Sequence, residues 1–275
     1  MPTNTITDSI ERPCPQPTHE PLIGQGTGFL ALREQLRLVT EADCRVLLFG
    51  EAGSGKETIA RHIHSHSIRC QLPFYRLHCA TFRPNIAQHP LHLSTQDNDS
   101  QMPDSRESSI DLTRGCTLYL HEVGTLTPEA QTWLLRTVLT IEMESLNSLN
   151  HDSQDQVRII AGTSQNLQQE VTAGRFRAEL FYRLNVVPLH ILPLRQRPED
   201  IEAFVTHFVA MYAEKYDKRI DRISDETYEL LTRYDWPGNI TEMQYLLEKA
   251  TILSNNGIVH IEQISQNPQN SPLHS

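Results

Sequence analysis

Apolar and polar positions along the chain follow two regimes. From Leu22 to about Pro193, short runs such as "RVLLFG", "FYRLHCA", "TLYLHEV", "VRIIAGTS" and "NVVPLHIL" are separated by longer amphipathic stretches. Runs that are apolar at successive positions predict strands buried on both faces, as in a parallel sheet covered by helices. After "LPLRQRPEDI" the period changes. The segments "IEAFVTHFVAMYAEKY", "SDETYELLTRY" and "ITEMQYLLEKATIL" carry apolar residues three and four apart, which predicts a small helical domain. The expected organisation is a polar, Pro-rich, disordered lead-in at 1–20, an α/β domain at 21–193, a helical domain at 194–265 and a tail at 266–275. Within the α/β domain, "STQDNDSQMPDSRESSIDL" at 94–112 is polar and Ser/Asp-rich, and is expected to form a surface loop.

Composition narrows the classes. A chain of 275 residues can bury a substantial core. Its 24 Lys and Arg against 34 Asp and Glu give a net charge of -10, which argues against broad electrostatic adhesion to nucleic acid or an anionic membrane. The N-terminus lacks the apolar core of a signal peptide, and no run approaches the roughly 18 apolar residues of a membrane helix. The chain reads as soluble and cytoplasmic. Its five cysteines, Cys14, Cys44, Cys70, Cys79 and Cys116, are odd in number and scattered, which fits reduced thiols.

The strongest chemical signal is "GEAGSGKET", Gly50 to Thr58, between the strand "RVLLF" and the helical "IARHIHSH". Gly-x4-Gly-Lys in strand-loop-helix context lets backbone N–H groups and a helix N-terminus surround a triphosphate, while Lys56 reaches the outer phosphates. A glycine-rich turn with an exposed lysine is the plainer alternative, and the flanking strand and helix count against it. Glu57 follows the lysine where Ser or Thr usually helps hold magnesium, with Thr58 one step later. In "RHIHSHSIRC", His62 and His66 lie one helical turn apart near Cys70, but no complete four-ligand spacing appears and a solvated helix face explains them better; no metal site is assigned.

With these motifs the chain resembles the central ATPase domain of the NtrC-type, sigma-54-dependent transcription activators, a branch of the AAA+ proteins. The resemblance covers about residues 21 to 265 and rests on "LIGQGTGFLALREQL", "GEAGSGKE", "TLYLHEVG", "FRAELFYRLNV", "LPLRQRPEDI" and "YDWPGNITEMQ" in that order. It implies an α/β AAA+ P-loop NTPase fold with a small C-terminal helical lid. It also implies binding of ATP or ADP by Gly50, Glu51, Ala52, Gly53, Ser54, Gly55, Lys56, Glu57, Thr58 and Ile23. Members of the family form rings, hexamers as a rule, and hydrolyse ATP between subunits to act on sigma-54 polymerase. Glu122 matches the residue that polarises the attacking water. Arg177 and Arg183 match the two arginines inserted into a neighbour's site, with surface ion pairing as their plainer alternative.

Four positions depart from the family's pattern. His121 stands where an Asp orients magnesium, and an imidazole cannot supply that carboxylate to a hard cation. Magnesium binding and hydrolysis should both weaken, unless Glu122 works with water-coordinated metal. His78 replaces the Asn that restrains the catalytic Glu, Ser164 the polar sensor Asn, and Thr241 the arginine that contacts nucleotide phosphates. The stretch "GAFTGA" that touches sigma-54 corresponds to "DNDSQM", 97–102, so direct sigma-54 contact is not expected. Nor is autonomous DNA binding, because the Fis-like helix-turn-helix with which many relatives bind enhancer DNA has no expected counterpart here, and neither has their receiver or sensor domain. The expected function is an ATP-binding regulatory protein with weak or absent hydrolysis, acting through self-association or a related activator. A working ATPase that remodels a different target, and a nucleotide-free scaffold, are the alternatives.

Overall fold

The computed structural model describes residues 10–11, 21–84, 92–94, 109–111, 115–147, 156–254 and 257–261. The tail at 266–275 and the "DNDSQM" stretch lie outside them. Two compact units divide the chain: Met1–Leu22, Ala31–Glu51 and Gly55–Ile191 form one, and Ile23–Leu30, Ala52–Ser54 and Leu192–Ser275 the other. The second unit thus takes in two short pieces that the sequence pattern places in the α/β domain.

In chain order the first unit contains β1 (Ile10–Glu11), α1 (Thr27–Ala42, its first turn in the second unit), β2 (Val46–Phe49), α2 (Lys56–Ser65) and β3 (Phe74–His78). There follow β4 (His92–Ser94), β5 (Ser109–Asp111), β6 (Cys116–His121), α3 (Pro128–Asn147), β7 (Val157–Thr163), α4 (Leu167–Thr172), α5 (Ala178–Leu184) and β8 (Val187–His190). The main sheet has the order β1-β3-β6-β7-β2-β8. All five strands from β3 to β8 in that order pair in parallel, as their apolar runs predict. β6 and β7 are the most buried: Leu118, Tyr119, Leu120, Ile160 and Ala161 are each 0% exposed. Trp133, Leu134 and Val138 of α3 and Leu180, Phe181 and Leu184 of α5 close the same core. Each fully buried side chain of this size contributes about 1.5–3 kcal/mol.

Two expectations need correction. Ile10–Glu11, in the segment expected to be disordered, pairs antiparallel with Leu77 and Arg76 of β3. The open backbone edge of a sheet offers unpaired N–H and C=O groups with which a further strand can pair. Ser94 and Ser109–Asp111, at the ends of the expected surface loop, belong to the antiparallel β4–β5 ribbon, with His92 opposite Asp111 and Leu93 opposite Ile110. Each strand reads polar-apolar-polar, the alternation of a two-faced strand, and residues 95–108 and 112 of the expected loop lie outside the described residues.

The second unit holds α6 (Ile201–Lys215), β9 (Arg222–Ile223), α7 (Asp225–Arg233), α8 (Asn239–Leu253) and β10 (Ile258–Val259). The three predicted helices are all present. Phe204, Val205, Phe208 and Val209 of α6 pack with Leu231, Trp236, Met243 and Leu247. Trp236 is fully buried and its indole N–H donates to the Leu231 carbonyl at 2.9 Å, so its polar atom is satisfied inside the core. Asp200 Oδ1 accepts the N–H groups of Gln25 and Gly26 at 2.6 and 2.8 Å, which draws that piece into this unit.

Candidate functional site

Parallel strands bring their C-terminal ends to one edge of the sheet, where ligands of open α/β folds bind. Here that edge gathers the loop after β2, His78 of β3, His121 of β6 and Thr163 of β7, with His78 opposite His121 and Phe49 opposite Thr163. The Gly50 N–H donates to the Thr163 carbonyl at 3.2 Å and anchors the start of the loop. Gly53 and Gly55 have φ of 73° and 95°, a left-handed conformation that glycine adopts without steric cost. Gly55 then leads into α2, whose first N–H groups lack helical acceptors and face an anion favourably.

Lys56 is only 4% exposed. Its Nζ donates to the carbonyls of Gly50 and Glu51 at 2.8 and 2.9 Å and pairs with Glu122 Oε1 at 2.8 Å. Three acceptors saturate an ammonium. Glu122 follows β6 in a left-handed conformation, φ 56°, and its Oε2 accepts the N–H and hydroxyl of Ser164 at 2.7 and 2.8 Å. Burial pushes the Glu122 carboxyl up, but Lys56 and Ser164 together outweigh it and hold the group below the usual carboxylate range.

His121 is half-buried, and its ring meets His78 edge-on at 5.3 Å between centroids. Burial first, and then the positive charge of Arg76, lower its pKa and favour the neutral imidazole. The buried Nδ1 of His121 has no protein hydrogen-bond partner. Glu57 pairs with Arg61 at 2.8 Å and Arg76 at 3.0 Å, so its carboxylate is committed to two guanidinium groups.

Lys56, Glu122 and Ser164 therefore converge, and His78 and His121 form a pair beside them. Among the described residues, the hydrogen bonds to the Glu122 carboxylate come from Lys56 and Ser164, whereas the pattern points to His78 as its restraint. Thr58 lies half-buried in the first turn of α2. Arg177 is exposed and donates to Thr132 Oγ1 at 2.9 Å. Arg183 pairs with Glu142 and, at 3.1 Å, with Glu179. The rings of His62 and His66 lie 4.0 Å apart, and no group of three or more His, Cys, Asp or Glu suited to a metal ion occurs among the described residues.

In the second unit, the loop residues Ala52, Gly53 and Ser54 each give up a carbonyl. Asn239 Nδ2 donates to Ala52 O at 3.0 Å, the Ile240 N–H to Gly53 O at 3.0 Å, and Arg197 Nη2 to Ser54 O at 3.2 Å. A Cβ on Gly53 would come within 2.2 Å of the Gly238 carbonyl and 3.1 Å of Thr241 Oγ1, so Thr241 does border the loop. Ile23 packs against the core of this unit. Arg197 and Asn239 escape sequence reading: both sit inside quoted motifs, but 143 and 187 positions separate them from the carbonyls they hold.

A phosphate loop on a parallel sheet, followed by a helical unit, defines an AAA+ P-loop ATPase fold. Residues 22–190 match the model of the sigma-54 interaction domain and residues 195–275 that of the AAA+ ATPase lid domain, and the chain belongs to this family of sigma-54 activators. It is 37% identical over 232 residues to the phenol regulator MopR of Acinetobacter guillouiae, covering 84% of this chain and 41% of the relative. It is 36% identical to the transcriptional regulatory protein ZraR of Escherichia coli, covering 84% and 52%. The chain thus spans about half the length of the curated relatives it matches. Among solved structures, NtrX of Brucella abortus in complex with ADP superposes with a TM-score of 0.70 at 28% identity, covering 87% of this chain and 54% of that one. The same protein in complex with ATP gives 0.70 at 29%, covering 86% and 51%. No helix among the described residues is long and apolar enough to cross a membrane.

Proposed function

We propose that this chain is a nucleotide-binding regulatory protein of transcription, a sigma-54 activator relative that holds ATP or ADP and turns ATP over weakly or not at all. The observation that carries this reading is the pairing of an intact phosphate loop with a neutral, half-buried imidazole at His121. Left-handed glycines at 53 and 55 and the buried Lys56 ammonium fit phosphate oxygens. Nucleotide complexes of the relative NtrX support the same assignment.

Magnesium fits less well. Bound beside the phosphates, the ion would supply Lewis-acid stabilisation of developing negative charge. At His121 the chain offers a nitrogen where a hard cation prefers carboxylate, and Glu57 is occupied by Arg61 and Arg76. What this chain's own residues do is therefore chiefly binding: Lys56 neutralises phosphate charge, the glycines admit close backbone approach, and Ser164 holds Glu122. Thr241 contributes no cation to the phosphates.

Nucleotide would then set a conformation or an assembly, in the cytoplasm, through self-association or a related activator. Arg177 and Arg183 are the groups for contact with a second copy. An active ATPase directed at another target is the second reading, favoured by one observation: Glu122 stays ionised beside Lys56, as a water-polarising base requires. Calorimetry with ATP decides the main reading. Saturable binding that Lys56→Ala abolishes supports it, and no binding leaves only the scaffold. A robust ATPase rate lost in Glu122→Gln would move the protein to the enzyme reading.

A further inference from the structure

Three consecutive carbonyls of the phosphate loop, those of Ala52, Gly53 and Ser54, are each captured by a donor of the second unit. Every peptide bond among the described residues is trans. In a trans peptide the N–H of one residue points opposite to the carbonyl of the residue before it. Capturing these carbonyls therefore turns the N–H groups of Gly53, Ser54 and Gly55 away from the groups that hold them. With Gly53 and Gly55 left-handed, successive N–H groups take the form of an anion-binding nest.

We infer that Arg197 and Asn239 are positioning residues of the phosphate loop, presetting its N–H groups for the outer phosphates of a nucleoside di- or triphosphate. Neither touches the anion. Both are built for holding a fixed position. Asn239 is fully buried, its Oδ1 accepts the Leu194 N–H at 2.8 Å, and its Nδ2 donates to Ala52 O at 3.0 Å. Its own φ of 52° is left-handed, a conformation asparagine tolerates better than most side chains. Arg197 is 6% exposed, lies over the Phe204 ring at 5.6 Å and sends Nη2 to Ser54. The second unit thereby shapes the loop tip through its carbonyls, a route that does not need the arginine replaced by Thr241.

This inference deepens the nucleotide-binding reading and rests on it, so the test separates the two. Arg197→Gln, Arg197→Lys and Asn239→Asp are prepared in the full chain, and folding is checked by circular dichroism. Backbone amide order parameters of Gly53, Ser54 and Gly55 are measured without nucleotide, and ADP affinity by calorimetry. In folded Arg197→Gln and Asn239→Asp the order parameters should fall from the rigid range near about 0.85 toward the mobile range below about 0.6. ADP affinity should drop roughly tenfold, the loss of one hydrogen bond from a charged or fixed donor, with Arg197→Lys recovering part of it. Unchanged order parameters and affinity in folded Arg197→Gln overturn the inference, and that variant decides if Asn239→Asp does not fold. Absence of ADP binding by the unsubstituted chain would sink the nucleotide reading instead, while the order parameters still report on the loop.

Discussion

Ser164 donates both its main-chain N–H and its hydroxyl to one carboxylate oxygen of Glu122, at 2.7 and 2.8 Å. The other oxygen takes Lys56 at 2.8 Å, so the two side chains are locked to each other. A phosphate that engages Lys56 competes with Glu122 for it. Glu122→Gln should therefore lower the stability of the nucleotide-free chain by about 2 kcal/mol, the scale of a lost charged hydrogen bond, while nucleotide binds more tightly because Lys56 is released. Denaturant titration paired with calorimetry checks both halves. A variant that binds ATP more weakly at unchanged stability would contradict the lock.

Placing a carboxylate at the end of β6 tests the other side of the same site. His121→Asp should raise ATP turnover only slightly, because His78 and Thr241 remain and catalytic groups that act as a unit do not add. Steady-state ATPase assays with magnesium provide the measurement. A large gain from this single change would mean that His121 alone limits hydrolysis.

Gly53 and Gly174 separate backbone strain from collision. Both are left-handed, with φ of 73° and 71°, but a Cβ on Gly174 meets nothing within 4 Å whereas one on Gly53 strikes the Gly238 carbonyl. Gly174→Ala should cost about 1–2 kcal/mol, the price of an alanine in that conformation, and leave ATP binding intact. Gly53→Ala should abolish binding. Thermal melts and calorimetry on the two variants distinguish the contributions.

His64 gives the chain a pH dependence away from the candidate site. Its Nδ1 lies 2.9 Å from Thr117 Oγ1, and burial, followed by the charge of Arg158, lowers its pKa from 6.5 to about 4. Between those values the unfolded chain binds more protons than the folded one. Stability is therefore full above pH 6.5 and falls as pH drops toward about 4, by at most about 3 kcal/mol from this group. Urea titrations at pH 7 and pH 5 should show a smaller difference for His64→Gln than for the unsubstituted chain.

Asp43 balances two buried guanidinium groups. It accepts Arg69 Nε at 2.8 Å and lies 3.5 Å from Arg158 Nη1, and the arginine side chains are 3% and 1% exposed. Asp43→Asn should cost about 3–5 kcal/mol, because uncompensated charge remains inside the first unit. Urea unfolding measures it, and a loss under about 1 kcal/mol would show that the carbonyls of Val39, Cys44 and Gln156 suffice for the two arginines.

Much of this architecture is legible from residue patterns. β6 and β7, buried along nearly their whole length, announce themselves as apolar runs; β3 and β8 are buried at fewer positions and are fainter in the sequence; α6, α7 and α8 show as three-and-four spacing, because burial of one stripe leaves a periodic trace. The phosphate loop is legible because glycine and lysine are fixed by chemistry at short range. What escapes are partnerships across long stretches of chain. Ser164 meets Glu122 only because β6 and β7 are neighbours in the sheet, and nothing local in "AGTSQN" signals that contact. Asn239 and Arg197 hold carbonyls, which every residue has, so the acceptors carry no mark in the sequence. Ile10–Glu11 joins a sheet edge by strand pairing, and a dipeptide carries no period to detect.

The β4–β5 ribbon gives the chain a neck. Pairing His92 with Asp111 and Ser94 with Ser109 holds the two flanks of residues 95–108 about 5 Å apart, whatever lies between them. Changes of sequence between the two strands should therefore leave the register of the main sheet as it is. In engineering terms the ribbon is a socket: a transplanted loop should change what the chain touches while leaving the phosphate loop, Lys56 and Glu122 where they are.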